Sequence, residues 1–337
     1  MEICYLLAFP DTENKIAPKK ELIKGLKDSP YFQPVDMDLV SLGDETIIIE
    51  GRAIAIIRHQ YDGRVQMVEA RFTLKSPFDS SALQERAKIE NALQSKYISE
   101  QHRQSGLFEE YTILLVDEVK TTPDKWIDKN ELEISRFIRS QRDTLDKNEI
   151  NEILMSRTRY SAAELTLVDW EGAVIIAPNA DYQSDIVLLK IGNYQLLRYR
   201  MLDQSIDTML DRIHESFFEN KRRPRATRGL IRQIAEHKLE VMLDFERTEQ
   251  NLLLIGDWYT AKLYEAIQSE FYLKDWKESL RAKLDNLENI VQTIKDNLSI
   301  SWENLMDRIQ LALWLFMLFG YLYLYFLDAG WITIPSN

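Results

Sequence analysis

The sequence predicts an α+β protein: two tandem β-α-β-β-type (ferredoxin-like) units, then a helical bundle and stalk, and one C-terminal transmembrane helix. Two observations predict this fold. Strand-like and helix-like segments recur in one order over the first 200 residues, and helical periodicity then leads into a long apolar run. We place the parts in chain order: α+β units at 1–108 and 109–202, a bundle at 203–272, a stalk at 273–308, a membrane helix at 309–327 and a tail at 328–337.

The repeat consists of a strand, a short helix, a glycine-split pair of strands, a further strand and an amphipathic helix. In the first unit these fall at residues 3–9, 21–26, 45–57, 66–74 and 81–98. In the second unit they fall at residues 112–116, 131–138, 164–176, 185–191 and 204–219. The order indicates a duplication. The alternative is coincidence, because short Ile/Val runs around glycine are common in α+β proteins.

Three helical patterns make up the predicted bundle. The first spans residues 204–219, the second follows Gly229 to residue 245, and the third covers 258–270 with Asp257 as its N-cap. Helices with such apolar faces are expected to pack with the stalk that follows.

The stalk carries a heptad seam. Its a and d positions are apolar at six of seven places over three heptads, which favours a short coiled coil and a homo-oligomer. The alternative is an amphipathic helix packed on its own domain. The predicted oligomerisation residues are Leu284, Leu287, Val291, Ile294, Leu298 and Leu305.

The predicted membrane helix is the run IQLALWLFMLFGYLYLYFL at residues 309–327, 19 residues without a charge. At 1.5 Å per residue it is about 28 Å long, close to the ~30 Å hydrocarbon thickness of a bilayer. Lys295 and Arg308 precede it, and no Lys or Arg follows in residues 330–337. The positive-inside rule therefore predicts a cytoplasmic N-terminal part. We expect the cell inner membrane if the source is bacterial and the mitochondrial inner membrane, with the N-terminal part on the matrix side, if it is eukaryotic.

A basic segment at residues 221–232 interrupts an acidic chain of net charge −12. Arginine side chains suit phosphate oxygens, so anionic lipid, RNA or another anionic partner is expected there. The alternative is a solvated loop that pairs with the protein's own acids. The candidate binding residues are Lys221, Arg222, Arg223, Arg225, Arg228 and Arg232.

Few other residues indicate a catalytic, metal-binding or cofactor-binding site. One cysteine, Cys4, excludes an intrachain disulfide, and the four histidines are scattered without a second histidine at metal-ligand spacing. The chain has no GxSxG, Walker-type or GxGxxG motif, and no pair of carboxylates stands out. We therefore expect no catalytic residues, no metal, no cofactor and no enzymatic activity.

The C-terminal half resembles the required-for-meiotic-nuclear-division protein family, a domain of unassigned activity with a hydrophobic C-terminal anchor. The segments that carry this resemblance are DWEGAVII at 169–176, residues 196–213, residues 221–245 and residues 252–298. It implies a membrane-anchored protein that tethers or scaffolds a cytoplasmic partner, in contact with membrane lipid. The alternative function is a ligand-gated membrane effector or channel subunit that senses a small anion or nucleotide through its α+β head.

Overall fold

A computed structural model describes residues 1–11, 20–21, 38–141, 145–215 and 258–329, and within 232–246 residues 232, 235–236, 238–239, 241–243 and 245–246. For residues 20–21, 294–305 and 327–328 it describes the backbone alone. The strands are β1 (Glu2–Pro10), β2 (Lys20–Glu21), β3 (Leu39–Ile49), β4 (Arg52–Tyr61), β5 (Val65–Thr73), β6 (Glu109–Val116), β7 (Arg157–Thr158), β8 (Leu165–Val168) and β9 (Gly172–Ile176). The helices are α1 (Ser80–Tyr97), α2 (Glu100–Ser105), α3 (Pro123–Lys129), α4 (Glu131–Ile138), α5 (Lys147–Ile153), α6 (Gln183–His214), α7 (Trp258–Glu270) and α8 (Leu273–Asp328).

The described strands form one mixed sheet in the order β2-β3-β4-β5-β1-β6-β9-β8-β7. Neighbouring strands are antiparallel except β6 and β9, which are parallel. Strand β1 lies in the middle and is buried on both faces, because its side chains alternate between two cores. Cys4 and Leu6 pack with α6, α7 and α8, whereas Ile3 and Leu7 pack with α1 and with α3 to α5.

Two separate ferredoxin-like units are not confirmed. Strand β1 pairs with β5 on one side and with β6 on the other, so the expected boundary at 108/109 falls between adjacent strands of one sheet. The two halves also differ in topology. Strand β5 returns antiparallel to β1, whereas β9 runs parallel to β6. A similar order of elements therefore does not produce a repeated fold.

The predicted strand at 185–191 is wrong, since these residues lie in the first turns of the 32-residue helix α6. Residues 184–199 of this helix are buried except Val187, because the sheet covers one side and α7 and α8 cover the other. A helix that is buried on all sides has apolar residues on every face and no clear helical period, so its sequence resembles that of a buried strand. In contrast, α4 and α7 have the predicted bounds.

The stalk and the apolar run form one continuous helix, α8, as the sequence predicts. Its 56 residues extend over about 84 Å. We call the part of the chain before the apolar run the head. The first turns of α8 belong to the core of this head. The Lys283 ammonium also contacts the carboxylates of Asp203, at 2.5 Å, and Asp207, at 2.9 Å, both on α6.

The predicted heptad seam divides into two parts. Leu284, Leu287 and Val291 are buried in the core of this same chain, which agrees with the alternative of an amphipathic helix packed on its own domain. Ile294, Leu298 and Leu305 lie where the side chains are outside the described part. The coiled coil therefore stays a prediction for those three positions.

The last part of α8 is long and apolar enough to cross a membrane. Met306–Phe326 comprises 21 residues with a mean hydropathy of 1.7, and none of its side chains is buried. Because apolar side chains are costly to expose to water, this segment needs another apolar environment.

Candidate functional site

The predicted basic site lies outside the described residues, except for Arg232. The Arg232 side chain is exposed, and its Nε atom donates to Glu236 Oε1 at 2.8 Å. This is a pair one helical turn apart on the surface, and such pairs contribute little to stability. The binding role of Lys221, Arg222, Arg223, Arg225 and Arg228 stays a prediction.

The described head contains a cleft of about 450 Å³ that the sequence did not single out. It opens where β6 extends past its neighbour. Strand β9 begins at Gly172, opposite Thr112, so residues 109–111 lie beyond the paired part of β6 on that side. Carboxylates and aromatic rings line this cleft together: Glu90, Glu109, Glu110, Glu171, Phe108, Trp170 and Phe271.

Helix α1 supplies Glu90. Its Oε1 atom accepts a hydrogen bond from the Thr112 hydroxyl at 2.8 Å and lies 3.1 Å from Arg86 Nε. Arg86 is fully buried and held in place, since Nη1 donates to the Phe137 carbonyl at 2.7 Å. Burial raises the pKa of Glu90 although the Arg86 charge opposes that change.

Glu109 and Glu110 are consecutive in β6 and lie on opposite faces of the sheet, and both line the cleft because it lies at the end of β6 that β9 does not cover. Arg200 of α6 contacts Glu109 and donates to the Gly106 carbonyl at 2.6 Å, which fixes the loop before the strand. Glu110 instead has neutral partners, because its Oε2 atom accepts from the Tyr5 hydroxyl at 2.8 Å and from Gln94 Nε2 at 2.5 Å. Burial raises the pKa of Glu109 despite the nearby Arg200.

The turn between β8 and β9 supplies Trp170 and Glu171. The Glu171 amide donates to Asp169 Oδ2 at 3.2 Å, which orders the turn. Arg139 is shared among several acids: it lies 3.4 Å from the Asp169 carboxylate and 3.7 Å from that of Glu171. Burial raises the pKa of both carboxyl groups, and Arg139 offsets only part of that change.

The opposite wall comes from the junction of α7 and α8. The Trp170 ring centroid lies 6.2 Å from that of Phe271 and 5.7 Å from that of Tyr272. Tyr272 adopts a left-handed backbone conformation with φ of 51°, and α8 begins at the next residue. The cleft therefore borders the point at which the helix that leaves the head begins.

The cleft carries surplus negative charge. Arg86 and Arg200 each pair with one glutamate, whereas Glu110 has uncharged partners and Glu171 shares one arginine with other acids. Within the described residues, no three His, Cys, Asp or Glu side chains come together in a way that could hold a metal ion. The geometry thus favours a positively charged ligand over the small anion or nucleotide expected above.

The only sequence signal for this site was weak. Glu109-Glu110 stands at the start of a strand, and Trp170-Glu171 lies in a tight turn, but acids are plentiful in this chain. Their meeting depends on the pairing of β6 with β9 and on the packing of α7 against α6, which the sequence did not predict.

Comparison with known proteins corrects the resemblance drawn from the sequence. No solved structure matches this chain. The uncharacterized protein MJ0711 of Methanocaldococcus jannaschii is 23% identical over 277 residues, which cover 80% of this chain and 81% of that protein. The assignment to the required-for-meiotic-nuclear-division family is wrong, because the family model that matches is a different one and lies mainly in the other half of the chain. Residues 16–183, which include all four cleft glutamates, are similar to the N-terminal domain of the uncharacterized protein MJ0711.

Proposed function

We propose that this chain is a membrane-anchored protein whose α+β head is held at the bilayer surface by α8 and tethers a partner there. The observation that supports the proposal is the division of α8 into two environments. Residues from Leu273 to Val291 contribute to the core of the head, whereas no residue of Met306–Phe326 is buried.

The lengths agree with this arrangement. The 21 residues of Met306–Phe326 extend over about 32 Å, and the hydrocarbon layer is ~30 Å thick. From Val291, the last residue of α8 in the core among those with described side chains, to Met306 the helix rises by about 22 Å. A head on such a stem would stand close to the lipid headgroups. The basic segment at residues 221–232 would then be near enough to contact their phosphate groups.

Orientation follows from the flanking charges. Lys295 precedes Met306–Phe326, Arg308 lies in its first turn, and residues 330–337 hold no Lys or Arg. The positive-inside rule supports a head on the cytoplasmic face.

Membrane fractionation tests the anchor. The full chain should remain in the membrane pellet after extraction at alkaline pH, because a spanning helix is not removed by breaking ionic contacts. Leu313→Arg with Met317→Arg places two charges in the apolar segment and should release the chain, since each costs about 2.5–3.5 kcal/mol at the centre of a spanning helix. Ala282→Arg with Asn286→Arg is the matched control. It adds the same charge at the same spacing on an exposed part of α8 and should leave the chain in the pellet.

A second candidate, a ligand-gated membrane effector, is favoured by one observation. Phe271 lines the cleft, and α8 begins two residues later, so a bound ligand would lie beside the head end of the helix whose other end is the apolar segment. Conductance across planar bilayers that hold the full chain separates the two functions. A tether gives none, whereas an effector that forms a pore gives a current that responds to the ligand.

A further inference from the structure

We propose that the cleft at the start of β6 binds a small organic ammonium cation. Carboxylates and aromatic rings line the same cavity, and together they provide both charge attraction and a polarisable surface for such a cation. The proposal is independent of the membrane anchor, since it concerns the head alone.

Glu110 supplies negative charge to the cleft. This carboxylate accepts two hydrogen bonds from neutral groups, the Tyr5 hydroxyl and the Gln94 amide, and these orient it without neutralising it. Glu171 is half exposed, and its nearest guanidinium nitrogen on Arg139 is 3.7 Å away and shared with Asp169. These two glutamates are therefore the anionic groups available to a cation that enters the cleft.

Trp170 supplies an aromatic surface to the cleft. Its side chain is 40% exposed, and its ring centroid lies 6.2 Å from that of Phe271 and 5.7 Å from that of Tyr272. Phe108, before β6, also lines the cleft. Indole and phenyl faces attract ammonium groups through the ring quadrupole, and Trp is the strongest of these partners.

Size and donor geometry select the class of ligand. A volume of about 450 Å³ lies in the range of small-molecule sites. A divalent metal needs several oxygen ligands within about 2.6 Å, and the described acids do not come together in that way. An alkylammonium ion has weaker geometric demands and gains from the aromatic walls, which a hydrated metal ion does not.

Isothermal titration of the full chain in detergent micelles with spermidine tests the proposal, with Mg²⁺ at equal concentration as the inorganic control. We expect saturable binding of spermidine at one site per chain, and no competition by Mg²⁺ at equal concentration. Glu110→Gln should weaken binding roughly tenfold or more, because a hydrogen bond to a charged group contributes about 1.5–3 kcal/mol. Trp170→Ala should weaken it about threefold to thirtyfold through loss of the ring.

The matched control is Glu118→Gln, which removes one carboxylate at an exposed position beyond the other end of β6. It should leave the affinity within twofold. Thermal unfolding of each variant without ligand verifies that the head is folded. The proposal is overturned if spermidine does not bind, if Mg²⁺ displaces it at equal concentration, or if folded Glu110→Gln and Trp170→Ala bind it as tightly as the unchanged chain.

Discussion

The Lys190 ammonium of α6 contacts the Glu69 carboxylate of β5 inside the core, where the two side chains are 3% and 1% exposed. Arg71 Nε also reaches Glu69, at 2.6 Å. Two opposite charges therefore join the long helix to the sheet at a place that water does not reach. Removing Lys190 leaves the buried Glu69 carboxylate with the partly exposed Arg71 as its remaining partner, and the loss of a buried partner charge is costly.

We predict that Lys190→Met lowers the free energy of unfolding by about 3–5 kcal/mol. Replacing both partners, with Glu69→Leu and Lys190→Met together, should recover most of this loss, because the charge that then lacks its partner, Arg71, is 23% exposed and still donates to Gln183 Oε1. Chemical denaturation monitored by tryptophan fluorescence measures both values. Lys88→Met is the control, since Lys88 is largely exposed and lies 3.8 Å from Glu50, and it should change stability by less than about 0.5 kcal/mol. Equal losses in the single and double variants would contradict this prediction.

The close contact between α6 and α7 predicts that a side chain at Gly192 lowers the stability of the protein. A Cβ atom on Gly192 would lie 2.4 Å from Ile267 Cγ2 and 3.1 Å from Phe271 Cε2. Gly192→Ala should therefore cost about 1–3 kcal/mol, because the two helices must separate. Gly320→Ala is the control, as nothing lies within 4 Å of its added methyl group. Thermal unfolding compares them, and an unchanged transition in Gly192→Ala would contradict the close packing.

Stability should change with pH in two directions. Burial raises the folded-state pKa of Glu90 and Glu109, so the folded protein binds their protons more tightly than the unfolded chain does. Lowering the pH from 7 toward about 4.3, the unfolded value for Glu, should then stabilise the protein. Burial alone would raise the pKa of Glu69, but Lys190 and Arg71 hold it below its usual value. Its contribution is therefore complete above about pH 4.3 and is lost as the pH falls further.

Thermal unfolding across this range measures the two effects. The double variant Glu90→Gln with Glu109→Gln should remove much of the rise between pH 7 and 5, because fewer carboxyl groups take up protons on folding. Glu69→Gln should flatten the fall at lower pH. A rise that is the same with and without Glu90 and Glu109 would assign the pH dependence to other groups.

The basic segment leads to a prediction about tethering. Neutral liposomes that carry the full chain should capture free vesicles rich in anionic lipid but not neutral vesicles, because arginines in residues 221–232 attract phosphate groups. Charge reversal at Arg222, Arg223 and Arg225 to glutamate should abolish capture. Co-sedimentation of labelled vesicles measures it. Undiminished capture by the reversed variant would remove these residues from the interface.

The sequence predicted the local elements where one pattern dominated. The hairpin of β3 and β4 follows from two apolar runs split by Gly51, whose φ of 75° suits the tight turn, and α8 follows from an uninterrupted apolar and heptad pattern. The start of α6 was missed because a helix buried on all sides has no polar face. The prediction of two duplicated units is not confirmed, because β1 pairs with β6 and this pairing joins residues that are far apart in the sequence.

The cleft could not be predicted from the sequence, because it also depends on contacts between residues that are far apart in the sequence. Glu90, Glu110, Trp170 and Phe271 come from four separate elements, and each alone resembles an ordinary surface acid or core ring. The register of β6 against β9, the contact of Glu90 on α1 with Thr112 on β6, and the packing of α7 against α6 bring them together. One chain provides many carboxylates, so composition could not indicate which of them share a cavity.

Accessibility of engineered cysteines along α8 tests the membrane-anchored head most directly. The single native thiol, Cys4, is fully buried, so a maleimide that cannot cross membranes should report on the introduced residue. In sealed vesicles with the cytoplasmic face outward, Glu278→Cys should react at once, Leu318→Cys should not react, and Ala329→Cys should react only after the bilayer is permeabilised. Equal and rapid labelling at all three positions in sealed vesicles would contradict a spanning helix.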